Sequence, residues 1–125
     1  MNLIENKERI FSQVAQAMET ANRTDQVNVI AVTKYVGIDQ AKALVDTGVC
    51  HIGENRVDKF LEKYQALKDE GLTWHLIGSL QRRKVKEVIN FVDYFHALDS
   101  MKLAQEIQKR ASHPIKCFIQ VNISG

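Results

Sequence analysis

The chain has 125 residues, 45% hydrophobic and 26% charged, the size and balance of one folded domain rather than of a disordered segment. A formal net charge of +2 is too small to argue for nucleic acid or a membrane as partner, and the longest apolar runs are only strand-sized, so nothing spans a bilayer. Met1 to Arg9 mixes charges of both signs and lacks an apolar segment, which does not read as a signal peptide. The two cysteines, Cys50 and Cys117, fall in predicted strands and form no CxxC pair, so they read as buried, reduced thiols.

Residues 3–22 carry Leu3, Ile10, Phe11, Val14, Ala17, Met18 and Ala21 near the helical period, which predicts an amphipathic helix. The β-branched run 27–33 predicts a buried strand that delivers Lys34 at its end. Asp39 stands where an N-cap belongs, ahead of Ala41, Leu44 and Val45, and Gly48 ends that helix. Residues 49–53 read as a second strand. Asn55 opens a helix to about Lys68 with Val57, Phe60, Leu61, Tyr64 and Leu67 on one face, and Gly71 closes it. Residues 72–77 predict a third strand with Gly78 as its turn, followed by a helix over 82–89. Residues 92–98 predict a fourth strand. Asp99 or Ser100 then caps a helix to about Ala111, which His113-Pro114 breaks. Residues 115–123 predict a fifth strand.

Strict strand–helix alternation implies right-handed crossovers and a parallel sheet. No GxGxxG or GxxxxGK[ST] follows the first strand, which argues against a nucleotide-binding open sheet. Polar groups follow nearly every strand: Lys34, then Glu54 and Asn55, then Ser79 and Gln81, then Asp99, then Asn122 and Ser124. A (β/α) barrel gathers all those ends on one rim, where such folds place their chemistry. Eight β/α units need about 250 residues. The prediction is therefore an α/β fold comprising the N-terminal portion of a (β/α)8 TIM-type barrel, with about five parallel strands and an extra N-terminal helix. Desolvation at such a rim lowers a lysine pKa, and a neutral lysine is a nucleophile toward aldehydes.

The segments Ala31-Val32-Thr33-Lys34-Tyr35, His51-Ile52-Gly53-Glu54-Asn55-Arg56-Val57, Trp74-His75-Leu76-Ile77-Gly78-Ser79-Leu80-Gln81 and Gln120-Val121-Asn122-Ile123-Ser124 closely resemble the pyridoxal 5′-phosphate (PLP) homeostasis protein family, whose fold is similar to the N-terminal barrel of alanine racemase. The motifs stand in the family's order and spacing. The resemblance implies that Lys34 forms the Schiff base with PLP, that Asn55 lies beside the cofactor ring or its lysine, and that the loop after Gly78 lines the pocket. The cofactor-binding residues expected on this basis are Lys34, Asn55, His75, Ser79, Asn122 and Ser124, with no defined catalytic residue. The family is credited with PLP binding and control of vitamin B6 and amino-acid balance, and its members are cytosolic and often monomeric. Family chains run to the full barrel length, with the phosphate cup on later strands, so residues 1–125 correspond to the N-terminal half. Arg82-Arg83-Lys84 departs from the family, where many members read a small polar residue, asparagine and lysine.

Each signal has a plainer explanation. Strand-end lysines often snorkel. Glu54 or Asn55 could cap the following helix. His75, within an apolar strand, reads on its own as a satisfied core histidine. Arg82, Arg83, Lys84 and Lys86 most simply form a solvated helix face, and without interleaved aromatics they argue little for RNA. His51, His96 and His113 show no ligand spacing, which argues against a metal site. Two alternatives to a PLP carrier stay open: a racemase-like PLP enzyme, and a cofactor-free piece of the barrel. Tyr35 neighbours Lys34, but strand alternation would send it to the opposite face. Strands 27–33 and 115–123 would be open apolar edges, so the chain is expected to self-associate.

Overall fold

The structure is a computed structural model describing residues 3–121 and 123. Five strands alternate with five helices. The order is α1 (Leu3–Thr20), β1 (Ile30–Val32), α2 (Ile38–Asp46), β2 (His51–Glu54), α3 (Val57–Leu67), β3 (Thr73–Leu76), α4 (Val85–Val88), β4 (Tyr94–Leu98), α5 (Met101–Arg110) and β5 (Lys116–Ile119). The strands form one sheet in chain order, and every neighbouring pair is parallel. This is a partial (β/α) barrel; the alternation required the parallel sheet.

Strand parity builds the core. Ile52, Trp74, Leu76, Phe95 and Ala97 point to one face and are buried against Ala41, Phe60, Leu67, Val85, Val88, Leu103 and Ile107 of the helices and their ends. The opposite, concave face carries Val32, His51, Gly53, His75, Tyr94, His96 and Phe118. Val32 is 50% exposed and Phe118 54% exposed, so this face is only partly covered among the described residues. A doubly wound sheet would bury both faces of its strands under helices, and this one does not.

Several local expectations are corrected. The first strand is Ile30–Val32 rather than 27–33, because its partner β2 begins at His51, which pairs with Ile30. The N-cap of α2 is Gly37, and Asp39 lies inside the first turn. Helix α3 begins at Val57, two residues after Asn55. The predicted helix 82–89 is a single α-turn between two 3-10 turns, Arg82–Lys84 and Ile89–Phe91. Strand β5 stops at Ile119, and its residues are exposed along its length. Both cysteines are free and exposed, not buried: Cys50 precedes β2, and Cys117 lies on edge strand β5.

Other expectations hold. Ser100 caps α5 by accepting the Leu103 N–H at 3.1 Å. Gly48 (φ 104°) and Gly71 (φ 70°) take left-handed backbone just past their helices. Strands β1 and β5 are the two edges of the sheet.

Candidate functional site

Lys34 follows β1 at the carboxyl edge of the sheet, in a turn that leads to α2. Its side chain is exposed, so the desolvation expected from sequence is absent here; the open sheet leaves the rim wet. Among the described residues its amine makes no ion pair. It lies over the ring of Tyr35, whose centroid is 5.1 Å from Nζ. Strand alternation does not separate these two side chains, because the strand has ended and both residues belong to the turn.

Directly before Lys34 the chain is held from beneath. Thr33 is buried, and its hydroxyl donates to Oε2 of Glu54. Lys63 of α3 donates to the same oxygen at 2.6 Å and to the Thr33 carbonyl at 2.8 Å. Glu54 is 0% exposed and Lys63 2%, so this is a fully desolvated ion pair. The parity of β2 explains it: Glu54 follows Ile52 onto the helix-facing side. Glu54 is therefore not a helix cap. The N-cap residue of α3 is Arg56, whose side chain makes no capping hydrogen bond and instead donates to Asp58 at 3.0 Å. Oε1 of Glu54 has no partner among the described residues. Lys63 was not among the residues expected at the site, yet the sequence carries a signal for it. Phe60, Lys63 and Leu67 recur at the spacing of one buried helix face.

Asn55 and Ser79 come together. With Gln81, Arg83, Lys84 and the Arg56–Asp58 ion pair they line a cavity of about 380 Å³ between the carboxyl ends of β2 and β3. The approach is enforced by Gly78. A Cβ there would collide with the Asn55 carbonyl oxygen and lie 2.9 Å from its carbon. Arg83 and Lys84 give the cavity positive charge. Lys34 is not among its lining residues. Asn122 and Ser124, expected on the same rim, lie outside the described residues.

His75 is 3% exposed on the concave face and forms part of a row that sequence spacing concealed. Its Nε2 lies 3.0 Å from Nδ1 of His51, and its Nδ1 lies 2.9 Å from Nε2 of His96. The Tyr94 ring stacks on it at 4.7 Å. Strand register makes the row. His75 pairs with Gly53 and with Tyr94, so His51 and His96 sit two residues to either side on a diagonal across the sheet. Burial, followed by the neighbouring His96 and His51, lowers the His75 pKa to about 4. Burial also lowers that of His96. His113 is elsewhere, with Nε2 3.1 Å from the Val92 carbonyl.

Parallel strands in sequential order, helices packed on the convex face and polar groups crowning the carboxyl edge define a partial TIM-type barrel. Compared with known proteins, the chain is homologous along its whole length to the pyridoxal phosphate homeostasis proteins and corresponds to their N-terminal half. The protein of that name from Aquifex aeolicus is 39% identical over 129 residues, which cover 100% of this chain and 57% of that one. The Pasteurella multocida protein of the same name is 32% identical over 99% of this chain and 56% of its own. PipY of Synechococcus elongatus, solved with PLP bound, is 28% identical and superposes with a TM-score of 0.72 over 86% of this chain and 47% of that one. The chain thus spans about half the length of the relatives it matches. No family model matches it. Among the described residues no helix is long and apolar enough to cross a membrane.

Proposed function

We propose that this chain binds pyridoxal 5′-phosphate at the carboxyl edge of its sheet, with Lys34 as the Schiff-base lysine, and that it serves cytoplasmic PLP and amino-acid homeostasis. The observation that carries the reading is the amine of Lys34, exposed at the end of β1 without a carboxylate partner among the described residues, in a homologue of proteins named for PLP homeostasis. PLP, when bound, supplies an aldehyde that condenses with a primary amine, forming C=N and releasing water.

The residues present fit such a ligand. Lys34 is exposed and, among the described residues, its amine faces an aromatic ring rather than a carboxylate, which leaves it accessible to a ligand arriving at the rim. Asn55 and Ser79 offer an amide and a hydroxyl from the next two strand ends, and Arg83 and Lys84 set positive charge where an anionic ligand benefits from it. His75 lies lower on the concave face and, with its pKa near 4, stays neutral at physiological pH; both its ring nitrogens face His51 and His96, so it supports the floor of the rim without adding charge. Asn122 and Ser124 complete the proposed residue set.

Absorbance titration with PLP tests the reading. A visible Schiff-base band lost in Lys34→Ala supports it, and an unchanged band in that variant contradicts it. A second reading follows from the contact between Lys34 and Tyr35: a phenol beside the amine supplies a second acid/base group, as a racemase-like catalyst needs. Exchange of the α-hydrogen of free amino acids in D2O, abolished by Tyr35→Phe, would mark that activity.

A further inference from the structure

The cluster under Lys34 is not required by the overall fold. A well-packed apolar pair of similar volume could fill the space between β2 and α3 without loss of stability. A buried ion pair instead holds the hydroxyl and the carbonyl of a single residue, Thr33. Glu54 takes its hydroxyl hydrogen, and Lys63 donates to its carbonyl oxygen at 2.8 Å. Thr33 also donates its backbone N–H to the Gly53 carbonyl at 3.1 Å. Its N–H, C=O and side chain are thus all anchored, and the next peptide carries Lys34. Beyond Lys34 the hold is slight, since Val36 only returns an N–H to that same Thr33 carbonyl at 3.2 Å.

We propose that Lys63 and Glu54 are positioning residues for Lys34: they clamp Thr33 so that the Lys34 amine leaves the sheet at a fixed point and angle. This rests on the reading of Lys34 as the Schiff-base lysine. The clamp joins three elements, β1 through Thr33, β2 through Glu54 and α3 through Lys63, so the amine is referenced to the rigid part of the fold. An exposed lysine in a turn samples many directions, and condensation with a bound aldehyde requires one of them. Anchoring the preceding residue reduces that search, and misplacement on the ångström scale costs rate steeply.

The test uses the full 125-residue chain, its Glu54→Leu/Lys63→Met double variant, Thr33→Val and Thr33→Ser. PLP is added, and the rate and affinity of Schiff-base formation are read from the visible band. Borohydride reduction with peptide mapping counts labelling at Lys34, and thermal unfolding is followed in parallel. The double variant keeps the volume of the cluster and removes its charges. Thr33→Val removes only the hydroxyl, and Thr33→Ser restores it. The expected result is condensation at Lys34 slowed about 10- to 100-fold in the double variant and in Thr33→Val, with Thr33→Ser near the unsubstituted rate. Wild-type rate and affinity in a folded Thr33→Val and a folded double variant would overturn the proposal. If the double variant does not fold, the Thr33→Val and Thr33→Ser pair decides alone. Lys34→Ala separates the two levels. A band that survives in Lys34→Ala, or no band in the unsubstituted chain, defeats the cofactor reading and the clamp with it. A band lost in Lys34→Ala but indifferent to Thr33, Glu54 and Lys63 defeats the clamp only.

Discussion

Gly78 packs on the backbone of Asn55 so closely that its missing side chain is what lets the β3 and β2 ends meet: a Cβ at Gly78 would strike the Asn55 carbonyl oxygen and come within 3.0 Å of its Cα. Backbone cannot swing aside as a side chain can. Gly78→Ala is therefore expected to destabilise the chain by about 1–3 kcal/mol, the usual range for forced overpacking. It should also weaken PLP binding by separating Asn55 from Ser79. Urea unfolding and PLP titration of the variant check both effects.

Glu54 and Lys63 are both buried, so removing one partner strands the other. Lys63→Met alone is expected to cost about 3–5 kcal/mol. Glu54→Leu/Lys63→Met should recover most of that loss, because the apolar pair needs no desolvation. Chemical denaturation of the single and double variants measures the difference. Equal destabilisation in the two would mean that the charges are not coupled.

The histidine row makes stability depend on pH. The folded pKa of His75 lies near 4, below its unfolded value of about 6.5, so the unfolded chain binds the extra proton first as pH falls. The associated stability is fully present above pH 6.5 and is lost progressively down to about pH 4. His96, also lowered by burial, adds to the loss in the same direction. The contribution is on the order of 2 kcal/mol. His75→Gln should flatten this part of the profile between pH 7 and about pH 4.5. Unfolding curves of both proteins across that interval isolate it from the titration of carboxylates common to the two.

Much of this was legible in the sequence, and the rest was hidden for identifiable reasons. Alternation of strands and helices fixes a parallel sheet, and the polar residues after the strands mark its carboxyl edge as the candidate site. The diagonal His51–His75–His96 contact depends on register between strands, which periodicity within one strand cannot reveal. Lys63 was obscured because a lysine is ordinarily assigned to the wet face of a helix, although its spacing from Phe60 and Leu67 put it on the dry one. The Lys34–Tyr35 contact was excluded by applying strand alternation one residue past the point where the strand ends. The cysteines were misplaced for two reasons: Cys50 falls just before β2 begins, and Cys117 lies on the edge strand β5, where strand membership says little about burial.

Strand β5 offers an unpaired edge with Phe118 and Ile119 exposed, the latter at 76%. The isolated 125-residue chain is expected to self-associate through it in a concentration-dependent way. Ile119→Lys places a charge on that edge and should shift the population toward monomer. Light scattering over a concentration series measures both. A sharp monomer at every concentration in the unsubstituted chain would contradict the expectation.

The central claim is that Lys34 carries the cofactor. The most direct measurement is reduction of the PLP-treated chain with borohydride, followed by peptide mapping of the labelled lysine and the same treatment of Lys34→Ala. The expected result is one dominant label on Lys34 and loss of the visible band in the variant. Label scattered over several surface lysines, unchanged when Lys34 is replaced, would contradict it.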